Sequence, residues 1–551
     1  MALCPVGSNV RQLGNEEPFI NHSNQASNCR NATLIEELRS EGCFEDDSEM
    51  IHRLQVLKSL NQFVTKWIRD LSMKRNLSAT LENVDAFYTY TFGSYRLGVN
   101  DKSSDIDVLC ITPDFINRED FFDSFYSLFH DQTEVVGLRK IVQAFVPVIK
   151  MIYDGIHIDM VFARAGLEGI CNVSLFNPVS LKYLDIECVR SLNGWCVTEE
   201  ILNLVPNKDT FRLTLLTIRL WAKKRGIYSN VLGYLGGLSW AILVVRVCQM
   251  YPNACSTILL QSFFQVFSNW PWPQPVILKQ PEEFPNLGFP IWCPQRYEKD
   301  RYHVMPIITP VYPQQNSTLN VSRSSLDLIK RQFRLSVPII QNIIDGKAKW
   351  RQLFETPNFF SRFKHYIVIE ASSNTASDQM QWSGHVESKI RHLVDFLERE
   401  ILQCAHVWPK SYPAFEEENE KNTLYWFIGL VLKGKKKVKT RNENEISKSN
   451  QLYSECGCNH SLSPRKSLNF TAASSEQSFN GINVSPLCNS VDILSGSAQI
   501  NRNLTKPITM FCELVNRKAE NTEILKDGMR LVVNYRKRKQ LRNYVPFSER
   551  H

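Results

Sequence analysis

An α+β multidomain fold is predicted by three observations. The chain has 551 residues, enough for roughly three to four domains of about 150 residues. Its composition, 43% hydrophobic, 11% aromatic and 22% charged, supplies large buried cores and excludes a fibrous or wholly disordered protein. The apolar spacing also changes along the chain, from helical to strand-like, back to helical, and then to a mixture.

Residues 1 to about 30 are rich in Asn, Ser and Gly and are expected to be unstructured, and they lack the basic start and apolar core of a secretory leader. Thr33 to Met73 carries Leu, Ile, Val and Trp at helical spacing, which predicts at least two helices. Short β-prone runs follow at Ala86 to Phe92, Ile106 to Thr112, Val146 to Tyr153 and Ile156 to Phe162, the signature of an α/β unit. A second helical region spans Leu192 to Phe267, with Thr210 to Lys223 and Gly237 to Met250 as its clearest helices. The apolar run Val231 to Val245 is shorter than the ~20 residues a bilayer span needs, so no membrane contact is expected.

Residues 270 to 325 contain many prolines and read as an ordered, aromatic-anchored connector in extended chain and turns. Helices are expected at Ser325 to Asp345 and Glu387 to Ala405, and strands at His365 to Ala371 and Trp426 to Leu432. From Lys433 to about Lys506 large apolar residues become scarce, so burial cannot offset chain entropy and a disordered insertion is expected. Apolar periodicity returns from Pro507 to Val545, a last strand and helix.

The net charge is +8, and by count about +11 lies from Lys433 onward. A basic tail on a near-neutral body suits a polyanion partner, a nuclear-import signal or a solvated tail. The runs at Lys433 to Lys439 and Tyr535 to Arg542 are the candidates for each role. The fifteen cysteines are scattered and odd in number, which reads as reduced core residues rather than a disulfide framework. Cys456, Cys458 and His460 have part of a zinc-ligand spacing but no second half.

The chemistry concentrates in Thr91-Phe-Gly-Ser-Tyr-Arg-Leu-Gly-Val and Ser104-Asp-Ile-Asp-Val-Leu-Cys-Ile. Strand alternation puts Asp105 and Asp107 on one face. Taken alone such a pair is often an exposed strand end; beside a phosphate cradle it becomes a site for a hard divalent ion such as Mg²⁺. Gly93 and Ser94 offer that cradle, with backbone N–H groups and a hydroxyl at a strand-to-helix corner. Asp159, in Gly155-Ile-His-Ile-Asp-Met-Val-Phe, falls on the polar face of a strand that could pair beside the first. Three acids in one place are what two-metal phosphoryl transfer requires.

Phe92-Gly-Ser-Tyr-Arg-Leu-Gly-Val, Ser104-Asp-Ile-Asp, Phe145-Val-Pro-Val-Ile-Lys and Asp154-Gly-Ile-His-Ile-Asp closely resemble the core of eukaryotic nuclear-type poly(A) polymerases, members of the polymerase-β-like nucleotidyltransferase superfamily. Ser191-Leu-Asn-Gly, Leu220-Trp-Ala-Lys, Ile227-Tyr-Ser-Asn, Leu235-Gly-Gly-Leu-Ser-Trp-Ala, Tyr302-His-Val-Met-Pro-Ile-Ile-Thr-Pro and Tyr312-Pro-Gln-Gln-Asn-Ser-Thr follow in the family's order. The resemblance covers about residues 35 to 432 and resumes weakly near Met529 to Pro546.

It implies a polymerase-β-like nucleotidyltransferase domain, a helical central domain and an RRM-like C-terminal RNA-binding domain. The expected division is 1–30 disordered N-terminus, 31–60 helices joining the central domain, 61–168 catalytic domain, 169–362 central domain, 363–432 with 507–546 RNA-binding domain, and 433–506 disordered insertion. It further implies template-independent addition of AMP from ATP to RNA 3′ ends, as in mRNA polyadenylation. Two Mg²⁺ or Mn²⁺ ions would be held by Asp105, Asp107 and Asp159. ATP would be contacted by those acids and by Phe92, Gly93, Ser94, Asp101, Arg219, Tyr228, Gly237 and Leu238. Phe145, Lys150 and Asn230 would approach the RNA primer. A nuclear, monomeric enzyme working with 3′-end processing factors is implied. A terminal uridylyl- or CCA-type transferase, or a weakly active or inactive RNA-binding paralogue, are the alternatives.

Two positions depart from the family pattern. Arg219 stands where relatives carry Lys, exchanging a compact ammonium for a planar fork. Asp101, in the loop Asn100 to Ser104, adds a negative charge beside the proposed triphosphate, which should weaken ATP binding unless Lys102 or a metal compensates.

Overall fold

The structure is a computed structural model that describes residues 24–77, 88–164, 178–281, 284, 287–400, 402–414, 422–432, 498–545 and 549. Helix α1 (Asn24–Ser40) begins inside the stretch expected to be disordered. Helix α2 (Asp47–Lys74) starts at a capping box, in which Glu49 N–H donates to Asp46 Oδ1 (2.9 Å) and Asp46 N–H donates to Glu49 Oε2 (3.1 Å). Val56, Leu60, Val64, Trp67, Ile68 and Leu71 form its buried face, each contributing about 1.5–3 kcal/mol on burial. Residues 31–60 do not join the central domain as one unit. Leu34 and Leu38 of α1 enter its core, whereas the α2 face packs into the core of the first sheet, because a continuous apolar stripe carries α2 past residue 60 without a break.

That sheet has the order β1-β2-β5-β4-β3. Its strands are β1 (Thr89–Phe92), β2 (Ile106–Thr112), β3 (Val135–Ile141), β4 (Val148–Tyr153) and β5 (Ile156–Arg164). β2 and β5 run parallel and the other pairs are antiparallel. Four strands lie where the alternation puts them. β3 does not show in the sequence, because it is a largely exposed edge strand and has no buried face to impose a period of two. Helix α3 (Gly93–Leu97) follows β1 directly.

Helix α4 (Ile186–Leu204) packs Cys188, Val189 and Leu192 into the first core and Val197, Ile201 and Leu202 into the second, so it joins the two. Helices α5 (Lys208–Lys224), α6 (Gly237–Met250), α7 (Ser256–Asn269) and α8 (Arg323–Ile344) enclose Trp221, Trp240, Phe263, Phe264 and Phe333. Trp221 Nε1–H donates to Ser336 Oγ at 2.9 Å, so its one polar atom is satisfied. Cys110 and Cys248 are buried thiols in their apolar runs, as expected.

The last domain is built from β6 (His365–Ser373), α9 (Ala376–Glu400), β7 (Leu402–Val407), β8 (Tyr412–Pro413), β9 (Asn422–Leu432), α10 (Ala498–Asn521) and β10 (Arg530–Lys537). The sheet order β10-β6-β9-β7, with βαββαβ connectivity, is the split βαβ arrangement and agrees with the RRM-like expectation. α9 starts eleven residues before the expected Glu387 and yields to β7 at Leu402. Its first turns are polar, and Asp378 N–H donates to Thr375 Oγ1 there (3.1 Å). Residues 498–506, expected in the insertion, are the opening turns of α10.

One face of this sheet packs Ile367, Ile369, Trp426 and Ile428 with residues of α9 and α10. RRM domains stack bases on the other face, but here it is covered. Phe359, Phe360, Phe363, Trp408 and Tyr412 close over Tyr366, Val368 and Phe427. The basic run from Tyr535 is likewise not a free tail. It forms the end of β10 and a 3₁₀ turn, with Arg536 donating to Tyr544 Oη and Arg538 to the Ser361 carbonyl. The run from Lys433 and the Cys456, Cys458, His460 group lie outside the described residues.

Candidate active site

Parallel pairing of β2 with β5 sets Asp107 directly opposite Asp159, and Asp105 lies one residue before β2 on the same face. Ligand oxygens of the three carboxylates all fall within 4.8 Å of one another. Asp105 is exposed, while Asp107 and Asp159 are partly buried. Burial first, then the charges of Asp105 and Asp159, push Asp107 up to about 7, with Lys150 acting the other way. Lys150 faces Asp159 across β4 and β5 and ion-pairs with its Oδ2. An all-oxygen set crowded enough to hold back the ionisation of one member is a donor set that a divalent cation relieves.

Gly93 completes the cluster. Its φ is +64°, and a Cβ there would overlap the Asp107 carboxylate, so only glycine allows this approach. The Gly93 N–H, expected to face a phosphate, donates instead to Thr198 Oγ1 on α4 (3.1 Å). The Phe92 ring packs against Gly194 on the same helix. Four contacts tie the following turn to α4 and α5: Arg96 pairs with Glu199, Arg212 Nε donates to Leu97 O (3.1 Å), Arg219 Nη1 donates to Val99 O, and Lys223 Nζ lies 2.8 Å from Asp101 Oδ2.

Asp101 and Arg219, the two positions expected to depart from the family pattern, are therefore both engaged within the chain. Burial acts to raise the Asp101 pKa, but hydrogen bonds from Lys223, Ser103 and Ser104 outweigh it and hold the carboxyl well below the usual range. Its compensating cation is Lys223. Lys102, the expected partner, pairs with Glu49 (3.0 Å) and Asp46 (3.4 Å).

Sequence reasoning missed Arg53. This 5% exposed side chain donates to Ser104 O (2.9 Å) and Lys102 O (3.2 Å), and its Nε lies 2.6 Å from Glu45 Oε1. It thereby fixes the loop that leads into Asp105. The available signal was its position three residues before Val56, an arginine within the apolar stripe of α2.

Four of the remaining expected residues line two cavities. Asp101, Arg219 and Tyr228 line one of about 640 Å³, with Lys223 Nζ 5.8 Å from the Tyr228 ring centre. Gly237 leaves room for Tyr228, whose Oη would lie 3.0 Å from a Cβ there, and Leu238 is 38% exposed. Asn230 donates to Ser317 O (3.2 Å) and accepts from Asn320 Nδ2 (2.7 Å). Phe145 lines the other cavity.

Models of three poly(A) polymerase domains tile the chain: the nucleotidyltransferase domain matches residues 20–205, the central domain 210–356, and the predicted RNA binding domain 358–551. The chain belongs to the eukaryotic nuclear-type poly(A) polymerase family. Nuclear poly(A) polymerase 2 of Arabidopsis thaliana is 41% identical over 432 residues, 77% of this chain and 54% of that protein. Poly(A) polymerase PAPa of Candida albicans (strain SC5314 / ATCC MYA-2876) is 40% identical over 394 residues, 71% of each. The chain thus spans about half the length of the plant relative. Among solved structures, the Cid1 poly(U) polymerase matches 61% of this chain and 100% of its own at 14% identity and a TM-score of 0.41. The family expected from the motifs is the family matched, and this poly(A) polymerase-type chain keeps all three acids of the motif in one cluster.

Proposed function

We propose that the chain is a template-independent polynucleotide adenylyltransferase that transfers AMP from ATP to an RNA 3′ end. The observation that carries this reading is the meeting of Asp105, Asp107 and Asp159 beside Gly93 in a chain of this family. The 3′-hydroxyl oxygen forms a bond to the α-phosphorus in line with the bond to the bridging oxygen that breaks, and pyrophosphate leaves. Asp105, Asp107 and Asp159 would together hold two Mg²⁺ or Mn²⁺ ions. When bound, such ions lower the pKa of the attacking hydroxyl and stabilise the leaving oxygen.

The protein's own groups position the reactants. Phe92 and Gly93 border the acids, and with Ser94 they would line the triphosphate site. Asp101, Arg219, Tyr228, Gly237 and Leu238 belong to the ATP side, and Phe145, Lys150 and Asn230 to the RNA side. The contacts between the 96–101 turn and α5 hold the catalytic domain against the central domain, which fixes both halves of the cleft and limits water. ATP and RNA are the partners, with 3′-end processing factors beyond them, and the setting is a monomer in the nucleus.

Primer extension with each of the four nucleoside triphosphates, with Mg²⁺ or Mn²⁺, tests this. Oligo(A) should be extended with ATP in strong preference, and a UTP preference would overturn the reading.

A second expected result concerns Asp101. Because Lys223 neutralises it, Lys223→Ala should raise the ATP KM about fivefold, and adding Asp101→Thr should recover most of that loss, a coupling of about 1 kcal/mol. Steady-state kinetics on the four proteins of the cycle measure it, and additive effects would show that the two residues do not act as a pair.

A further inference from the structure

The cavity of about 640 Å³ that Asp101, Arg219 and Tyr228 line is not walled by the catalytic and central domains alone. The turn between β7 and β8, Trp408 to Lys410, also lines it, and so does Glu549. That turn is firmly seated. Trp408 N–H donates to Phe427 O (2.9 Å) and Trp408 Nε1–H to Tyr412 Oη (3.1 Å), while Tyr234 of the central domain donates to Val407 O (2.8 Å). The Trp408 ring lies against Gly226, just beyond α5, where a Cβ would overlap it. The C-terminal domain therefore rests on the end of α5, and it brings a lysine to the cavity on the ATP side.

Cations outnumber carboxylates on the cavity wall by five to three. Lys223 is held by Asp101, and Lys102 by Glu49 and Asp46. Lys224 Nζ lies 2.6 Å from Glu41 Oε2, and Lys410 Nζ lies 2.6 Å from Glu549 Oε1 with its side chain 59% exposed. Solvent-accessible pairs of single charges contribute little, so a ligand carrying several charges can displace the carboxylates. Arg219 is 8% exposed, and although its Nη1 donates to Val99 O, its Nε has no partner among the described residues. A buried charged N–H without an acceptor is costly, and an anion in the cavity supplies one. A linear diphosphate, with several negative charges on closely spaced oxygens, matches cations grouped in this way. RNA fits less well, because none of Phe145, Lys150 and Asn230, the residues of the RNA side, lines this cavity.

We infer that Lys410 and Lys224 form a subsite for a linear diphosphate in this cavity, taking either the β,γ end of ATP or the pyrophosphate that leaves. The inference deepens the adenylyl-transfer reading and rests on it for the source of the ligand. It gives the C-terminal domain a part in handling the nucleotide as well as the RNA. Glu549 competes with the diphosphate for Lys410.

Calorimetric titration of inorganic pyrophosphate into the full chain tests the subsite without turnover. Lys410→Gln and Lys224→Gln should each weaken pyrophosphate about fivefold, whereas Glu549→Gln should tighten it about twofold. A merely structural role would not move the two partners of one ion pair in opposite directions. None of the three side chains is buried, so the core stays intact, and unchanged melting temperatures verify this. Primer-extension kinetics on Lys410→Gln separate the two sources. A higher KM for ATP marks the tail of bound ATP, and a higher inhibition constant for pyrophosphate at unchanged KM marks the released product. Equal pyrophosphate affinity in wild type and Lys410→Gln overturns the subsite, as does a loss of oligo(A) affinity, read by fluorescence anisotropy, in place of the pyrophosphate effect. A wild-type protein that binds pyrophosphate in the expected pattern yet extends no RNA overturns the functional reading and leaves the subsite standing.

Discussion

Asp107→Asn is expected to lower kcat by about a thousandfold or more while making the chelator-treated protein more stable at pH 8. The loss follows from the position of Asp107 between Asp105 and Asp159. Removing its charge removes a donor from a set whose bound cations supply several kcal/mol of transition-state stabilisation, and 1.36 kcal/mol is a factor of ten. The gain follows from the same crowding. Burial and the neighbouring carboxylates raise Asp107 to about 7, above its ordinary value, so the folded chain retains a proton that the unfolded chain releases. Its contribution to stability therefore falls as pH rises from about 4 to about 7, and asparagine has no such dependence. Thermal melts in chelator should show the variant ahead by about 1–3 kcal/mol at pH 8 and level with wild type near pH 4. Single-turnover extension of oligo(A) measures the kinetic loss. A variant that is both inactive and less stable at pH 8 would mean that the carboxylate is held by favourable contacts instead of crowding.

The acids could be read from the sequence because strand side chains alternate. Asp105 and Asp107 share a face whatever the rest of the chain does, and Asp159 lies on the polar face of its own strand. The register that sets Asp107 opposite Asp159 was not readable, since two parallel strands 52 residues apart by number are aligned by the whole sheet. The helical core from Lys208 to Met250 was legible for a related reason: wide apolar faces leave little freedom in their boundaries. β3 was invisible because an exposed edge carries no pattern. The covered face of the C-terminal sheet was hidden too, because nothing local to Phe359, Phe360 and Phe363 shows that β6 and β9 come to lie beneath them.

Asp101 shows where local reading misleads. Within its loop its neighbours are Asn100, Lys102 and two serines, and on that view its charge burdens the site. The cation that neutralises it is 122 residues away on α5, and Arg219 on the same helix reaches Val99 O. Both positions contribute to the seam between catalytic and central domains, so their first role visible in the structure is to join the two domains.

The same seam ends at Gly93, and Gly93→Ala is expected to lower kcat about a hundredfold and to weaken Mn²⁺ binding. Two costs arise together. The left-handed conformation at φ +64° costs an alanine about 1–2 kcal/mol, and its Cβ would overlap the Asp107 carboxylate, which must turn away from Asp105 and Asp159. The corner cannot yield easily, because Thr198 holds the Gly93 N–H and Phe92 is packed on Gly194. Gly346 separates the two costs. It has φ +76° and nothing within 4 Å of its Cβ position, so Gly346→Ala carries the backbone cost alone. Both variants should melt earlier, Gly93→Ala by the larger amount because of the added overlap, and only Gly93→Ala should lose activity and metal affinity. Equal activity in the two would mean that the carboxylate can be displaced without harm, and the close approach of glycine to Asp107 would then serve packing alone.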